Sequence, residues 1–164
     1  MTETWEGLVI VGLGNPILSN DGVGRHGAIA LGGFFPGARV QTVPMIGMDL
    51  LDLILGHDAL VVVDAVATGS SPVGTVSRFQ LPGQGLHVAS SHGPDLQLVL
   101  SLGRSLGLPV PRTTRIYGIE IGTEVPYGES FSPELQARFK TAVISIATDM
   151  RMSLGSQGSP AAPG

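Results

Sequence analysis

Short unbroken apolar runs alternate along this chain with segments whose apolar positions recur at helical spacing. Leu8-Val9-Ile10-Val11 and Ala59-Leu60-Val61-Val62-Val63 are the clearest runs. Strands buried on both faces of a parallel sheet have this composition. The pattern predicts strands over residues 7–13, 39–43, 59–66, 74–81 and 112–121. Thr75, Ser77 and Arg78 make the fourth of these partly polar, as suits an edge. Helices are predicted from residue 22 to a stop at Gly32-Gly33, over 47–55, over 95–106 and from 133 onward. In the second, Met48, Leu51, Ile54 and Leu55 share a face. The last opens on Ser132 as N-cap, with Pro133 and Glu134 in its first turn. Its apolar stripe is Leu135, Phe139, Ala142, Val143, Ile146 and Met150. Strands alternating with helices imply an α/β fold, a three-layer sandwich whose mostly parallel, roughly five-stranded twisted sheet is flanked by helices.

The chain has 164 residues, 43% hydrophobic and 13% charged. That supports one domain, read as residues 1–153, and a low-information tail over 154–164 expected to be disordered. A net charge of −4, with nine Lys and Arg that form no cluster, provides no electrostatic footprint for nucleic acid. Cysteine is absent, which removes disulfides, thiolate metal sites and a cysteine nucleophile together. The N-terminus lacks the basic region of a secretory signal. No apolar stretch approaches the roughly 18–20 residues of a membrane span. A cytoplasmic monomer, with no membrane or nucleic-acid partner and no organic cofactor, is the expectation.

Under this topology, loops after parallel strands converge at one edge of the sheet, where open α/β folds bind ligands. Asp21 follows the first strand, behind the loop Gly12-Leu13-Gly14-Asn15-Pro16. Asp64 closes the strand Val61-Val62-Val63. His92, in Ser90-Ser91-His92-Gly93-Pro94, joins them only if its loop returns to that edge. Two carboxylates and an imidazole suit a borderline divalent metal such as nickel, zinc or manganese, with positions left open for substrate or water. A helix N-terminus beside His92 would favour the neutral, metal-binding imidazole. Each residue has a plainer reading. Asp21 stands where an N-cap would stand, Asp64 where a turn cap would, and His92 could cap its helix or bond a carbonyl. His87 competes with His92, whereas His26 and His57 read as solvated. The chain has no His-Glu-x-x-His motif and no Ser–His–Asp arrangement.

Taken together, these segments resemble the hydrogenase maturation proteases, endopeptidases that trim the C-terminal extension of the large subunit of nickel–iron hydrogenases. The resemblance rests on Gly12-Leu13-Gly14-Asn15 followed by Asn20-Asp21-Gly22-Val23-Gly24, on Val62-Val63-Asp64-Ala65, and on Ser90-Ser91-His92 before the leucines from Leu96 to Leu102. Gly118-Ile119-Glu120 and Phe131-Ser132-Pro133 complete it, in order, across residues 8–150. It implies that Asp21, Asp64 and His92 are both the catalytic set, with roles not apportioned, and the contacts to nickel. That nickel would arrive in the large-subunit precursor, so that only a loaded precursor is cut. Three positions depart from the family's pattern: Asn20 stands where an acid is usual, residues 43–48 lack an acid that several relatives carry, and Ile121 replaces a proline.

Other functions compete. Val11-Gly12-Leu13-Gly14-Asn15-Pro16 also opens the peptidyl-tRNA hydrolases, but Arg25-His26 is one residue out of step with their catalytic histidine and the basic surface is missing. A dinucleotide site would need a third glycine where Ile17 stands and an acid in place of Gln41-Thr42-Val43. A non-catalytic nickel-site assembly chaperone would keep all three ligands and bind the precursor without cutting it.

Overall fold

The computed structural model describes residues 3–15, 17, 19–79, 93–124 and 128–155. Five strands form one sheet: β1 (Leu8–Leu13), β2 (Arg39–Val43), β3 (Ala59–Val66), β4 (Val76–Phe79) and β5 (Thr113–Glu120). Their order across the sheet is β2-β1-β3-β5-β4. The first four are parallel neighbours and β4 runs antiparallel along β5 at the edge. The polar residues Thr75, Ser77 and Arg78 mark that edge, as expected from the sequence, while the strand expected over 74–81 begins only at Val76, and residues 80 and 81 lie outside the described residues.

Pleating sorts the apolar strand residues between two cores. Leu8, Ile10, Val61, Val63, Tyr117 and Ile119 face helices α1 (Val23–Gly32) and α4 (Pro133–Leu154). Val9, Val11, Leu13, Leu60, Val62 and Ile116 face α2 (Leu50–Ile54) and α3 (Gly93–Ser105). The expected three-layer sandwich therefore stands.

Several element boundaries differ from the sequence reading by one to three residues. Helix α2 is shorter than 47–55, because Leu50 and Leu51 donate to the carbonyls of Gly47 and Met48 in tight turns and the regular helix begins only afterwards. Met48 consequently lies outside the helix and is exposed. Helix α3 begins at Gly93 rather than 95. Helix α4 continues to Leu154, whose side chain is buried in the core. The expected tail beyond Gly155 lies outside the described residues.

Helix α4 is fastened over the β4–β5 edge by one polar cluster. The Tyr117 hydroxyl, on a side chain 1% exposed, donates to Asp149 Oδ2 at 2.6 Å, and Arg78 meets the same oxygen at 3.0 Å. Burial, and then the hydrogen bond to Asp149, push the Tyr117 phenol well above its ordinary 10.0. Burial also pulls Asp149 upward, but hydrogen bonds from Tyr117 and Arg78 and the charges of Arg78 and Arg115 outweigh it, leaving this carboxyl below its ordinary value. The folded protein keeps the phenolic proton that the unfolded chain releases above pH 10.0. Its contribution to stability is therefore complete below that pH and is lost as pH rises further. Denaturant melts between pH 8 and 11 should show this alkaline loss in the wild type and a flatter limb in Tyr117→Phe; equal limbs would contradict the assignment.

Candidate functional site at the carboxyl rim

β1, β2, β3 and β5 all end at one rim of the sheet, and the loops leaving them are built around close backbone approaches. Gly14, at φ +151°, lets the chain leave β1, and its N–H donates to the Val43 carbonyl at the end of β2. A Cβ on Gly14 would lie 2.2 Å from the Asp21 carbonyl oxygen. The chain then forms a single 3₁₀ turn, Ser19–Gly22, before α1. Gly24 brings the start of α1 onto the strand ends: a Cβ there would lie 2.5 Å from the Val63 carbonyl oxygen and 3.1 Å from Asp64 Cα. Only glycine allows that approach.

Asp21 is half-buried in the 3₁₀ turn. It is not the cap of α1. That position is Gly22, which makes no side-chain capping bond. Instead Asp21 Oδ2 accepts the Asn15 N–H at 2.7 Å, closing the loop that leaves β1. Asp64 lies on β3 and is 3% exposed; its Oδ1 accepts the N–H of Ala65 at 2.8 Å. The turn carrying Asp21 packs against β3, so the two carboxylates share the rim. Parity along β3 places Asp64 with Leu60 and Val62 on the α2/α3 side.

His92 and His87 lie outside the described residues. Helix α3 itself ends at the amino rim, where the Gly56 N–H donates to the Pro109 carbonyl. Thirteen helical residues span about 20 Å, so Gly93 begins toward the carboxyl rim. Among the described residues, no three His, Cys, Asp or Glu side chains gather closely enough to hold a metal ion. His26 is exposed and stacks edge-on against Phe131 at 5.1 Å; the His57 ring lies 3.2 Å from the Ile54 carbonyl. Neither belongs to the rim pair.

Glu120 is the rim carboxylate that sequence reasoning noted in a motif and did not place in the site. It is 2% exposed at the end of β5, paired in register with Val66. Its carboxylate accepts the Thr68 N–H at 3.1 and 3.2 Å, the Thr68 hydroxyl, and the Gly122 N–H at 3.1 Å. It thereby ties the chain leaving β3, just past Asp64, to the chain leaving β5. An amide at this position puts an NH2 against donors, so Glu120→Gln is expected to destabilise the fold by about 2 kcal/mol. Equilibrium unfolding in urea would measure it, and an unchanged midpoint would contradict the role. The available signal was the charge itself: an acid at the end of a buried strand needs partners.

Pockets lie at both ends of the sheet. A cavity of about 450 Å³ at the amino rim is lined by Trp5, Asp58, Arg112 and Leu154, far from the carboxylates. An open cleft of about 680 Å³ at the carboxyl rim includes Asn20, Gly122, Glu124, Ser132 and Glu134. Asn20 brings the second cleft against the turn that carries Asp21, although neither Asp21 nor Asp64 lines it.

No family model matches the chain, and no curated protein matches its sequence. Solved structures do. The hydrogenase maturating endopeptidase HybD from E. coli aligns over 89% of this chain and 93% of its own, at 21% identity and a TM-score of 0.70. The [NiFe] hydrogenase maturation protease HybD from Thermococcus kodakarensis aligns over 87% and 97%, at 25% identity and a TM-score of 0.65. The HycI maturation protease from Thermococcus kodakarensis KOD1 aligns over 88% and 92%, at 22% identity and a TM-score of 0.62. The chain thus has the fold of these proteins along nearly its whole length, and the resemblance drawn from its motifs is borne out in three dimensions.

Proposed function

We propose that this protein, built on the fold of the hydrogenase maturation proteases, is a peptide hydrolase that removes the C-terminal extension of a nickel–iron hydrogenase large-subunit precursor in the cytoplasm. The observation that carries the reading is the joint one: fold similarity over 87–89% of the chain to proteins of that name, with Asp21 and Asp64 on the carboxyl rim of the sheet. No helix of the described residues is long and apolar enough to cross a membrane.

Nickel enters as part of the substrate. The two rim carboxylates are hard oxygen donors suited to a divalent cation, and a third ligand from His92 would complete a mixed site. The precursor supplies the remaining coordination. A metal so held can polarise the scissile carbonyl or activate a water, while either carboxylate can take a proton from that water. Asp21, half-buried, is the more accessible of the two, and Asp64 is 3% exposed.

The test is a gel. Precursor loaded with nickel should be shortened when mixed with this protein, and nickel-free precursor should not. Shortening of both forms would remove the metal from recognition. Binding of the loaded form without shortening would make the protein an assembly chaperone, and release of tRNA from peptidyl-tRNA would make it an esterase.

A further inference from the structure

We propose that Asn20 is a positioning residue for Asp21, its amide latching the turn that carries the carboxylate to the start of α4. The inference rests on the functional reading above, in which Asp21 works on the substrate. Asn20 is 2% exposed, although it belongs to a short surface turn. Its Oδ1 accepts the Ser132 N–H at 2.8 Å and its Nδ2 donates to Ser132 Oγ at 3.1 Å. A backbone N–H can only donate, so it fixes which end of the amide faces Ser132 N. Ser132 Oγ in turn accepts the Leu135 N–H at 3.3 Å as the cap of α4. One residue earlier, Ser19 Oγ donates to the Ser130 carbonyl.

The turn is therefore held on two sides. Asp21 itself grips the loop leaving β1 through Asn15, and Ser19 and Asn20 grip the segment before α4. Without the second grip, a four-residue 3₁₀ turn has little to keep its carboxylate at a fixed distance from Asp64. Asn20 and Ser132 also stand in the wall of the 680 Å³ cleft, so the latch sets the width of that opening as well as the place of Asp21.

The geometry specifies a rescue. An aspartate at position 20 would accept the Ser132 N–H on one oxygen. Ser132 Oγ would turn its own proton to the other oxygen while still accepting from Leu135. Alanine makes neither bond. The experiment compares wild type, Asn20→Ala, Asn20→Asp and Ser132→Ala in cleavage of nickel-loaded precursor, with rates normalised to protein shown folded by near-ultraviolet dichroism. Asn20→Ala should lower kcat by about 10- to 100-fold, the cost usual for groups that orient a reacting ligand, with KM changed less than about threefold. Asn20→Asp should recover most of that loss. If Asn20→Ala does not fold, Ser132→Ala, which keeps the N–H bond to Oδ1, should show a smaller loss confined to kcat.

An unchanged kcat in the folded alanine variant, or in Ser132→Ala where that stands in, would overturn the inference. So would an aspartate variant no faster than alanine, or a loss that vanishes on normalisation. Failure of the wild type to cut loaded precursor is a different result. It refutes the functional reading first, and the role of Asn20 with it.

Discussion

Replacing Asp64 with asparagine is expected to lower cleavage of nickel-loaded precursor by at least about 100-fold, the scale on which a metal ligand or general base matters, while leaving the fold intact. The side chain is 3% exposed and its Oδ1 accepts the Ala65 N–H at 2.8 Å. Asparagine has the same shape and can present its carbonyl oxygen to that N–H. What it loses is the charge, and with it the ability to hold a cation firmly or to take a proton from water. The rate should therefore fall by far more than any change in melting temperature accounts for. Asp21→Asn should behave the same way, because an amide oxygen can still accept from Asn15. Wild-type cleavage by either variant would remove that residue from the site. A melt lowered as much as the rate would assign Asp64 a structural role instead.

Gly24→Ala is the second large effect, and it falls on stability. The added Cβ would meet the Leu13 carbonyl oxygen at 2.2 Å, the Val63 carbonyl oxygen at 2.5 Å and Asp64 Cα at 3.1 Å. All three are backbone atoms of two central strands, which cannot swing aside as a flexible side chain would. Helix α1 must lift from the sheet and loosen its packing through Val23, Ala28 and Leu31, all fully buried. Overpacking of this kind costs at least about 3 kcal/mol, or a fall of roughly 6–12 °C in Tm for a domain of this size. Gly33→Ala is the control. Its Cβ would reach only the Ala30 carbonyl, at 3.4 Å, in an exposed C-terminal turn. Scanning calorimetry of the two variants separates the cases; equal melting temperatures would contradict the close approach of α1 to the rim.

Gly24 also shows how much of the site was legible in the chain. Its glycine-rich surroundings pointed to a tight strand-to-helix connection, and the strand over residues 59–66 had the same bounds in sequence and structure. Asp21 and Asp64 were placed at the carboxyl rim by topology alone, and the structure keeps them there. The N-cap reading of Asp21 failed because Asn15 lies close enough to take its carboxylate, leaving the cap to Gly22. Met48 was assigned to a helical face because its spacing fits. The turns over residues 47–49 break that spacing before the regular helix starts.

Periodicity and unbroken apolar runs, which depend on neighbours close in the chain, determined the strands, their mostly parallel sheet, the helices packed on both faces and the edge at β4. Tertiary structure alone decided which donors reach the buried acceptors. Asn20 finds Ser132 across 112 residues and Glu120 finds Thr68 across 52. A side chain's polarity is written in the sequence, but desolvation makes a partner obligatory only once the fold has closed around it.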